Sequence, residues 1–404
     1  MGDFYQNGVV TTLHNMRNRP YEVLESELVE FSKRRPMTLI LPCLYSELEG
    51  PALKGIIDEL VKVPYLEEII IGLDKANEEE FAHAKKYFSR LPQHHRILWN
   101  DGPRMSAMDK LLIDRQIAPR EMGKGRNSWY CFGYFNASDR SEAVALHDCD
   151  ILTYSRHMLA RLFYPVVDPT FNYKFCKGYY YRADSTKLNG RVARLLVTPL
   201  LRTLKRFFGN EYFLEYLDSF RYPLAGEFSM RADITKTIRI PSDWSLEIGI
   251  LTEAMRVSAL GRICQVDIAD RYDHKHQELS ESDANAGLSK MSTEISRAIF
   301  AKLATNGTVF SRGVIRSIKA TYLRVALDFL DQYHADAVIN GLTLDRHAEE
   351  AAIDLFAANV YRAGEMFLDN PMQVPTVPSW KRVISAIPDF YEQLFDAVEK
   401  DNKV

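Results

Sequence analysis

Apolar positions fall into two regimes along the chain. From about residue 37 to 150, short and nearly continuous apolar runs alternate with amphipathic stretches. MTLILPCL (37–44), EEIIIGLD (67–74), RILWN (96–100) and AVALHDCD (143–150) read as strands. A run that is apolar throughout, rather than at every second position, belongs to a strand covered on both faces. Behind Gly50-Pro51, residues Leu53, Ile56, Ile57, Leu60 and Val61 recur three and four apart, which predicts a helix opened by proline. Further helices are expected over about 77–90 and 127–136. Strand and helix in alternation predict an α/β fold, a mainly parallel sheet flanked by helices. In such sheets ligands bind beyond the carboxyl ends of the strands, which directs attention to 42–47, Asp74 and 147–150.

Beyond about residue 283 the pattern turns helical. Leu288, Met291, Ile295, Ile299 and Leu303 form a stripe ending near Asn306-Gly307, and helices are expected over 313–335 and 345–368. A connection punctuated by Pro371, Pro375 and Pro378 leads to a last helix near Pro388. Such stripes predict core or dimer surface and carry no chemistry of their own. With a polar helical lead-in at the start, the chain divides into 1–36, a sheet domain 37–282, and a helical extension 283–404.

The 404 residues are enough for two or three units with a sizeable core. Fifty-one Lys+Arg against 54 Asp+Glu give a net charge of −3, which argues against a nucleic-acid binder driven by net charge. No apolar run approaches the ~18 residues of a membrane span, and the first residues lack a signal-peptide core. The 5 cysteines are odd in number and show no CxxC spacing, so neither a disulfide framework nor a zinc knuckle is signalled. The expectation is a cytoplasmic protein.

The strongest local feature is His147-Asp148-Cys149-Asp150, directly after the apolar AVAL. Carboxylates two apart on an extended chain point the same way, and the turn beyond can aim both at one cation. A hard divalent ion shares carboxylate oxygens with phosphates and water, so the pair suits a metal-assisted diphosphate site. It also suits a helix cap. Gly123-Lys124-Gly125 lets backbone approach a phosphate while the lysine offers a point charge, and it equally describes a surface turn. Asp273-His274-Lys275-His276 follows the predicted strand ICQVDIA (263–269). An imidazole there completes a carboxylate metal site or decorates a loop. PLAGE (223–227) and LEIG (246–249) set Glu227 and Glu247 among apolar neighbours, either paired structurally or kept for binding or proton transfer. KGYYYRAD (177–184) reads as a ligand-stacking face or as a strand of alternating tyrosines. GxSxG, HExxH, GxGxxG and GxxxxGK[ST] are absent.

In this order the motifs resemble the glucosyl-3-phosphoglycerate synthase family, retaining glycosyltransferases of GT-A fold. The resemblance runs from about Met37 to Leu279. LPCLYSE resembles the family's first nucleotide-contacting strand end, Gly123-Lys124-Gly125 its Pro-Gly-Lys-Gly loop, and Asp148-Cys149-Asp150 its Asp-Ser-Asp metal motif. NGRVARLLVTPLL (189–201) is similar to its Gly-Arg-Val-Thr acceptor helix, and PLAGE to its Pro-Leu-Gly-Gly-Glu loop. LEIGIL resembles its Val-Glu-Ile-Gly-Leu-Leu segment, and 272–276 its Arg-Glu-His-Arg-Asn.

The resemblance implies a GT-A, Rossmann-like sheet with an α-helical C-terminal extension. It places Pro42, Cys43, Leu44, Glu47 and Asp74 along the nucleoside, Lys124 on the diphosphate, and Asp148 near the ribose or donor sugar. It assigns Asp150 and His274 to Mg²⁺ or Mn²⁺, and Glu227 and Glu247 to the donor glucose. Gly190, Arg191, Arg194 and His276 would hold the acceptor, with the backbone near Leu224 fixing the pose of the reactants. The chain departs from the family in three places: Tyr45-Ser46-Glu47 stands for Asn-Glu-Glu, Ala193 for a threonine, and His276 for an asparagine.

The implied reaction moves glucose from a nucleoside diphosphate sugar to the 2-hydroxyl of 3-phospho-D-glycerate with retention. The leaving phosphate would take the acceptor's proton; Glu247 as covalent nucleophile is the alternative. Free D-glycerate as acceptor and mannose as donor sugar stay open. A sugar-1-phosphate nucleotidyltransferase would show a basic glycine-rich loop after the first strand, and LPCLYSELEG has no basic residue. An inactive nucleotide-sugar-binding scaffold is the non-enzymatic rival. The implied partners are a nucleotide sugar and a small glycerate-type acceptor, with no nucleic acid, no membrane, and a homodimer formed by the helical tail.

Overall fold

The computed structural model describes residues 6, 8–17, 19–119, 122–184, 186–209, 211–274, 287–371 and 376–403. Its centre is one 8-stranded sheet. The strands are β1 (Thr11–Leu13), β2 (Met37–Leu44), β3 (Leu66–Asp74), β4 (His94–Trp99), β5 (Ala143–Leu146), β6 (Phe175–Tyr180), β7 (Phe228–Arg231) and β8 (Ile263–Ala269). They lie in the order β1-β8-β6-β7-β5-β2-β3-β4, and every pairing is parallel except the two made by β7. Ile40, Ile70, Leu98 and Val144 are buried on one face; Leu39, Leu41, Ile69, Ile71, Ile97 and Ala145 are buried on the other. Both faces are covered, so the strands read as unbroken apolar runs.

Two boundaries differ from the sequence reading. The lead-in is helical over Tyr21–Ser32, but Thr11–Leu13 adds an edge strand alongside β8. Three residues are too few for a period of two to show. The run AVALHDCD stays in the sheet only to Leu146. His147 still donates its backbone N–H to the Ile40 carbonyl at 3.1 Å, and the chain then leaves, freeing Asp148 and Asp150 from the ladder.

The helices after residue 286 close over the sheet rather than standing apart. Leu288, Ile295, Ile299 and Leu303 are buried within this chain, in one core with Trp129, Phe132, Leu195 and Val144. That stripe is therefore core and supplies no dimer face. The helix Phe390–Asn402 covers the sheet edge at β4. The Asn402 amide accepts from the Ile97 N–H at 3.0 Å and donates to the Ile97 carbonyl at 2.8 Å, as a ninth strand would. Glu399 grips Arg96 through both oxygens, at 2.8 and 2.9 Å. Among the described residues no helix is long and apolar enough to cross a membrane.

Trp380 fastens this covering layer to the helix Lys124–Ser138. Its ring stacks on Trp129 with centroids 4.2 Å apart, and its N–H donates to the Trp129 carbonyl at 3.0 Å. Trp129 in turn donates to the Pro378 carbonyl at 2.8 Å. Trp380→Ala is expected to lower unfolding free energy by about 3–5 kcal/mol. The check is the urea midpoint at unchanged slope, and a shift worth under about 1 kcal/mol would refute the role.

Candidate active site

The carboxyl ends of β2 and β3 stand side by side, with Pro42 opposite Gly72 and Leu44 opposite Asp74. Asp74 is buried and accepts from the Asn100 amide at 2.8 Å; burial pushes its pKa up against that bond. Leu44 is exposed and Pro42 and Glu47 are half-buried. Cys43 points the other way, into the core, because neighbouring residues of a strand face opposite sides. At this strand end it is the Cys43 backbone, not its thiol, that is left available to a ligand.

At the centre, three stretches of chain meet on one ammonium. Gly123-Lys124-Gly125 is no free loop: Gly123 caps the helix Lys124–Ser138, which puts Lys124 at its first position. Lys124 Nζ lies 2.6 Å from Asp148 Oδ1 and 3.1 Å from Glu247 Oε1. Burial pulls the Lys124 pKa down, but Asp148 and Glu247 more than reverse it and hold the amine protonated. Glu247 sits in the first turn of the helix Leu246–Val257, where a negative charge faces the positive end of the dipole. Gly226 closes over the pair. A side chain there would meet Asp148 Oδ2 at 2.4 Å and Lys124 Nζ at 3.0 Å, so the PLAGE loop needs glycine at this position. Leu224 is half-buried on the same loop.

Asp150 and His274, 124 residues apart, are neighbours, with Nδ1 3.4 Å from Oδ2. Their meeting is built by backbone. Ile151 and His274 form an antiparallel bridge, the Leu152 N–H donates to the Asp273 carbonyl at 2.8 Å, and the Asp273 N–H to Thr153 Oγ1 at 3.1 Å. Although burial raises the Asp150 pKa, the His274 hydrogen bond and charge, with that of Lys124, bring it below the ordinary value. Asp148 is turned to Lys124 rather than to this pair, so the three groups do not close on one point; among the described residues no group of three or more His, Cys, Asp or Glu has metal-binding spacing.

Glu227 reaches the cluster but is fully buried. Its two oxygens accept from Tyr180 at 2.8 Å and Tyr272 at 2.7 Å. Burial and the Asp148 charge push its pKa up. Its place behind the tyrosines differs from the sugar-facing role expected. Tyr180 and Tyr272 stack at 3.7 Å, with Tyr222 tilted against Tyr180 at 5.1 Å and His274 edge-on to Tyr272. Thus the tyrosines of KGYYYRAD divide: Tyr180 is inside this stack and Tyr181 is exposed.

The acceptor-like segment starts at Gly190, whose φ of +79° is the left-handed value that glycine accepts freely. Val192–Val197 is a π-helical turn running into the helix Thr198–Phe208. Pro199 has no N–H for the Leu195 carbonyl, and the Tyr322 hydroxyl donates to that oxygen at 2.5 Å instead. Arg191 is one-third exposed; Arg194 is buried and donates through Nε to the Asn189 carbonyl at 2.7 Å. Ala193, in place of threonine, is buried. His276 lies outside the described residues.

Sequence reasoning passed over two charged residues here. Lys177, in the middle of β6, is fully buried beside Phe228, 5.5 Å from its ring, and its Nζ has no hydrogen-bond partner among the described residues. A lysine inside an otherwise apolar strand was the available signal. Glu349, buried against Arg191 and Arg194, gave no signal, since it sits in a run of charges.

No protein-family model matches the chain. The structure is similar to that of glucosyl-3-phosphoglycerate synthase from Mycobacterium tuberculosis in complex with Mn²⁺, UDP-glucose and phosphoglyceric acid. The TM-score is 0.54 at 19% identity, over 75% of this chain and 89% of that one. Mannosyl-3-phosphoglycerate synthase from Rubrobacter xylanophilus gives 0.55 at 20% identity, over 74% of this chain and 83% of that one. These likenesses establish the GT-A-type fold. In sequence, the glucosyl-3-phosphoglycerate synthase of Persephonella marina is 46% identical over 402 residues, 100% of this chain and 99% of the relative. That of Methanococcoides burtonii is 40% identical over 409 residues, 99% and 98%. Identity of this order along the whole length, including the helices past residue 286, means that the chain belongs to the glucosyl-3-phosphoglycerate synthase family.

Proposed function

We propose that this chain is a metal-dependent hexosyltransferase that moves glucose from UDP-glucose to the 2-hydroxyl of 3-phospho-D-glycerate with retention, in the cytoplasm. The full-length identity to two glucosyl-3-phosphoglycerate synthases carries the reading. The site's chemistry agrees with it. Asp150 and His274 offer a carboxylate and an imidazole 3.4 Å apart, a donor set that suits Mn²⁺ or Mg²⁺. Two protein ligands leave the rest of the shell to diphosphate and water, as Mg²⁺ prefers. When bound, the ion supplies Lewis-acid neutralisation of charge on the departing diphosphate.

The chain's own groups do the rest of the work in this reading. Lys124, at a helix N-terminus and already protonated, turns from its carboxylates to the diphosphate, where the first N–H groups of the helix add to its charge. Asp148 and Glu247, so released, accept hydrogen bonds from ribose and glucose hydroxyls. Leu44, Asp74 and the Cys43 backbone border the nucleoside, with Pro42 and Glu47. Glu227 orients Tyr272 and through it the stretch that bears His274. Gly190 and Arg191 face the acceptor, Arg194 braces the turn between them, and the backbone near Leu224 fixes the acceptor's pose against the sugar. The acceptor's 2-hydroxyl proton passes to the leaving phosphate oxygen on the same face. A retained configuration then needs no enzyme nucleophile.

The assay is a matrix of UDP-, GDP- and ADP-sugars against 3-phosphoglycerate and D-glycerate with Mn²⁺, followed by nucleotide release. UDP-glucose with 3-phosphoglycerate is expected to lead D-glycerate by at least about tenfold, one charge-assisted contact's worth. Equal rates would refute the phosphorylated acceptor. Asp150→Ala and His274→Ala should each lose at least about 100-fold in turnover at an unchanged melting temperature. EDTA should abolish wild-type activity, and either variant at wild-type rate would remove the metal assignment. Lys177 yields a stability test. Burial pushes its pKa from 10.5 to about 8, against the pull of Glu247 and Glu227. Between those values the folded chain binds fewer protons than the unfolded one, so this lysine's contribution to stability rises with pH from about 8 to 10. Urea unfolding should show wild type gaining on Lys177→Met over that window; a constant difference would mean the lysine is not depressed.

A further inference from the structure

The two arginines of the acceptor-like segment are held from outside it. Arg191 and Arg194 are three residues apart on a helical stretch, so their guanidinium groups stand on one side. Between them comes Glu349, from the first turn of the helix Arg346–Asp369. Its Oε1 is 2.7 Å from Arg191 Nε and its Oε2 2.9 Å from Arg194 Nη2. The Glu349 side chain is only 3% exposed, so both bonds are charge-assisted and shielded from water. Arg194 spends its Nε on the Asn189 carbonyl and lies over the Tyr333 ring at 5.1 Å, while its buried Nη1 has no partner among the described residues. Arg191 gives its Nε to Glu349, and among the described residues no bond is made by its two terminal amino groups. Arg182 borders the same turn with its stem, its Cβ 3.2 Å from where a side chain on Gly190 would start, while its guanidinium donates to the Tyr222 hydroxyl at 3.4 Å.

We propose that Glu349 is a positioning residue for the acceptor: by bridging Arg191 and Arg194 it aims the free edge of Arg191 at the acceptor's anionic groups. The helical C-terminal region, which the sequence gives no chemistry, thereby completes the acceptor site. This rests on the glucosyl transfer proposed above. One carboxylate between two guanidinium groups leaves a surplus of positive charge, which suits an anionic acceptor. Two effects of removing Glu349 oppose each other. Losing a negative charge would strengthen an anion's attraction, whereas losing the bridge leaves Arg194 buried without a counter-charge and repelling Arg191. The second prevails because Arg194 is desolvated, where an uncompensated charge is most costly and the neighbouring side chain is forced to move.

The test is initial-rate kinetics with UDP-glucose, 3-phosphoglycerate and Mn²⁺. Glu349→Gln is expected to raise the KM for 3-phosphoglycerate about tenfold, within the range of directly coupled charged groups. The KM for UDP-glucose should stay within about twofold, since the donor is not on this segment. In an Arg191→Gln background the same change should add less than about twofold, because Glu349 acts through that arginine. An unchanged or lowered acceptor KM, a parallel rise in both KM values, or full additivity with Arg191→Gln would each overturn the proposal. Should Glu349→Gln not fold, as judged by UDP-glucose binding with Mn²⁺, Glu349→Asp keeps the charge with a shorter reach and the same comparison is made on it. A wild-type enzyme that transfers no glucose to 3-phosphoglycerate would instead refute the activity on which this rests.

Discussion

One ammonium organises the site. Lys124 draws together the first residue of a helix, the turn after β5 and the first turn of a second helix, through contacts of 2.6 and 3.1 Å to Asp148 and Glu247. Like-charged carboxylates repel, and one lysine set between them offsets that repulsion. The arrangement is also a charge store. Any ligand whose phosphates compete for Lys124 releases two acceptors at the moment its own negative charge arrives, so binding of diphosphate and exposure of hydroxyl-binding carboxylates are one event on the proposed reading. Lys177, fully buried in β6, feels Glu247, Glu227 and Asp148 as well, and their pull partly offsets the burial that lowers its pKa.

The proposed acceptor side depends on packing rather than on strand ends. The π-helical turn at Val192–Val197 runs into a helix whose Pro199 has no N–H for the Leu195 carbonyl, and Tyr322 from the long C-terminal helix Arg312–Ile339 supplies a donor to that oxygen. Glu349 does the same for the charges on that turn. Both come from helices whose apolar faces are buried against the sheet layer, so their grip on the turn is backed by a core and not by a flexible tail.

Sequence legibility followed the range of the forces involved. The strands β2 and β8 stand where their apolar runs predict, because burial on both faces is written locally at every residue. Asp148, Lys124 and Glu247 were all singled out, since a charge between glycines or beside an apolar run is unusual in a short window. What stayed hidden was orientation. Cys43 and Glu227 carry the expected identities, but strand alternation turns the first into the core and two tyrosine hydroxyls claim the second. Glu349 was illegible for a different reason: its partners are 155 and 158 residues away, and nothing in a helix of alternating charges marks which one is buried.

The tyrosine stack explains why these distant pieces make one site. Tyr222 adjoins Arg182 and Gly190 on the acceptor side, Tyr180 packs on Tyr222, Tyr272 stacks on Tyr180, and His274 meets Tyr272 edge-on. Glu227 fixes the middle of this column by accepting from both Tyr180 and Tyr272, and its burial is what makes those bonds strong. A carboxylate in open contact with sugar would leave the column free to slide. Placed behind it, the same carboxylate holds Tyr272, edge-on to His274, to Tyr180, which packs on Tyr222, so on the proposed reading ring contacts as well as loops link the two ends of the reaction.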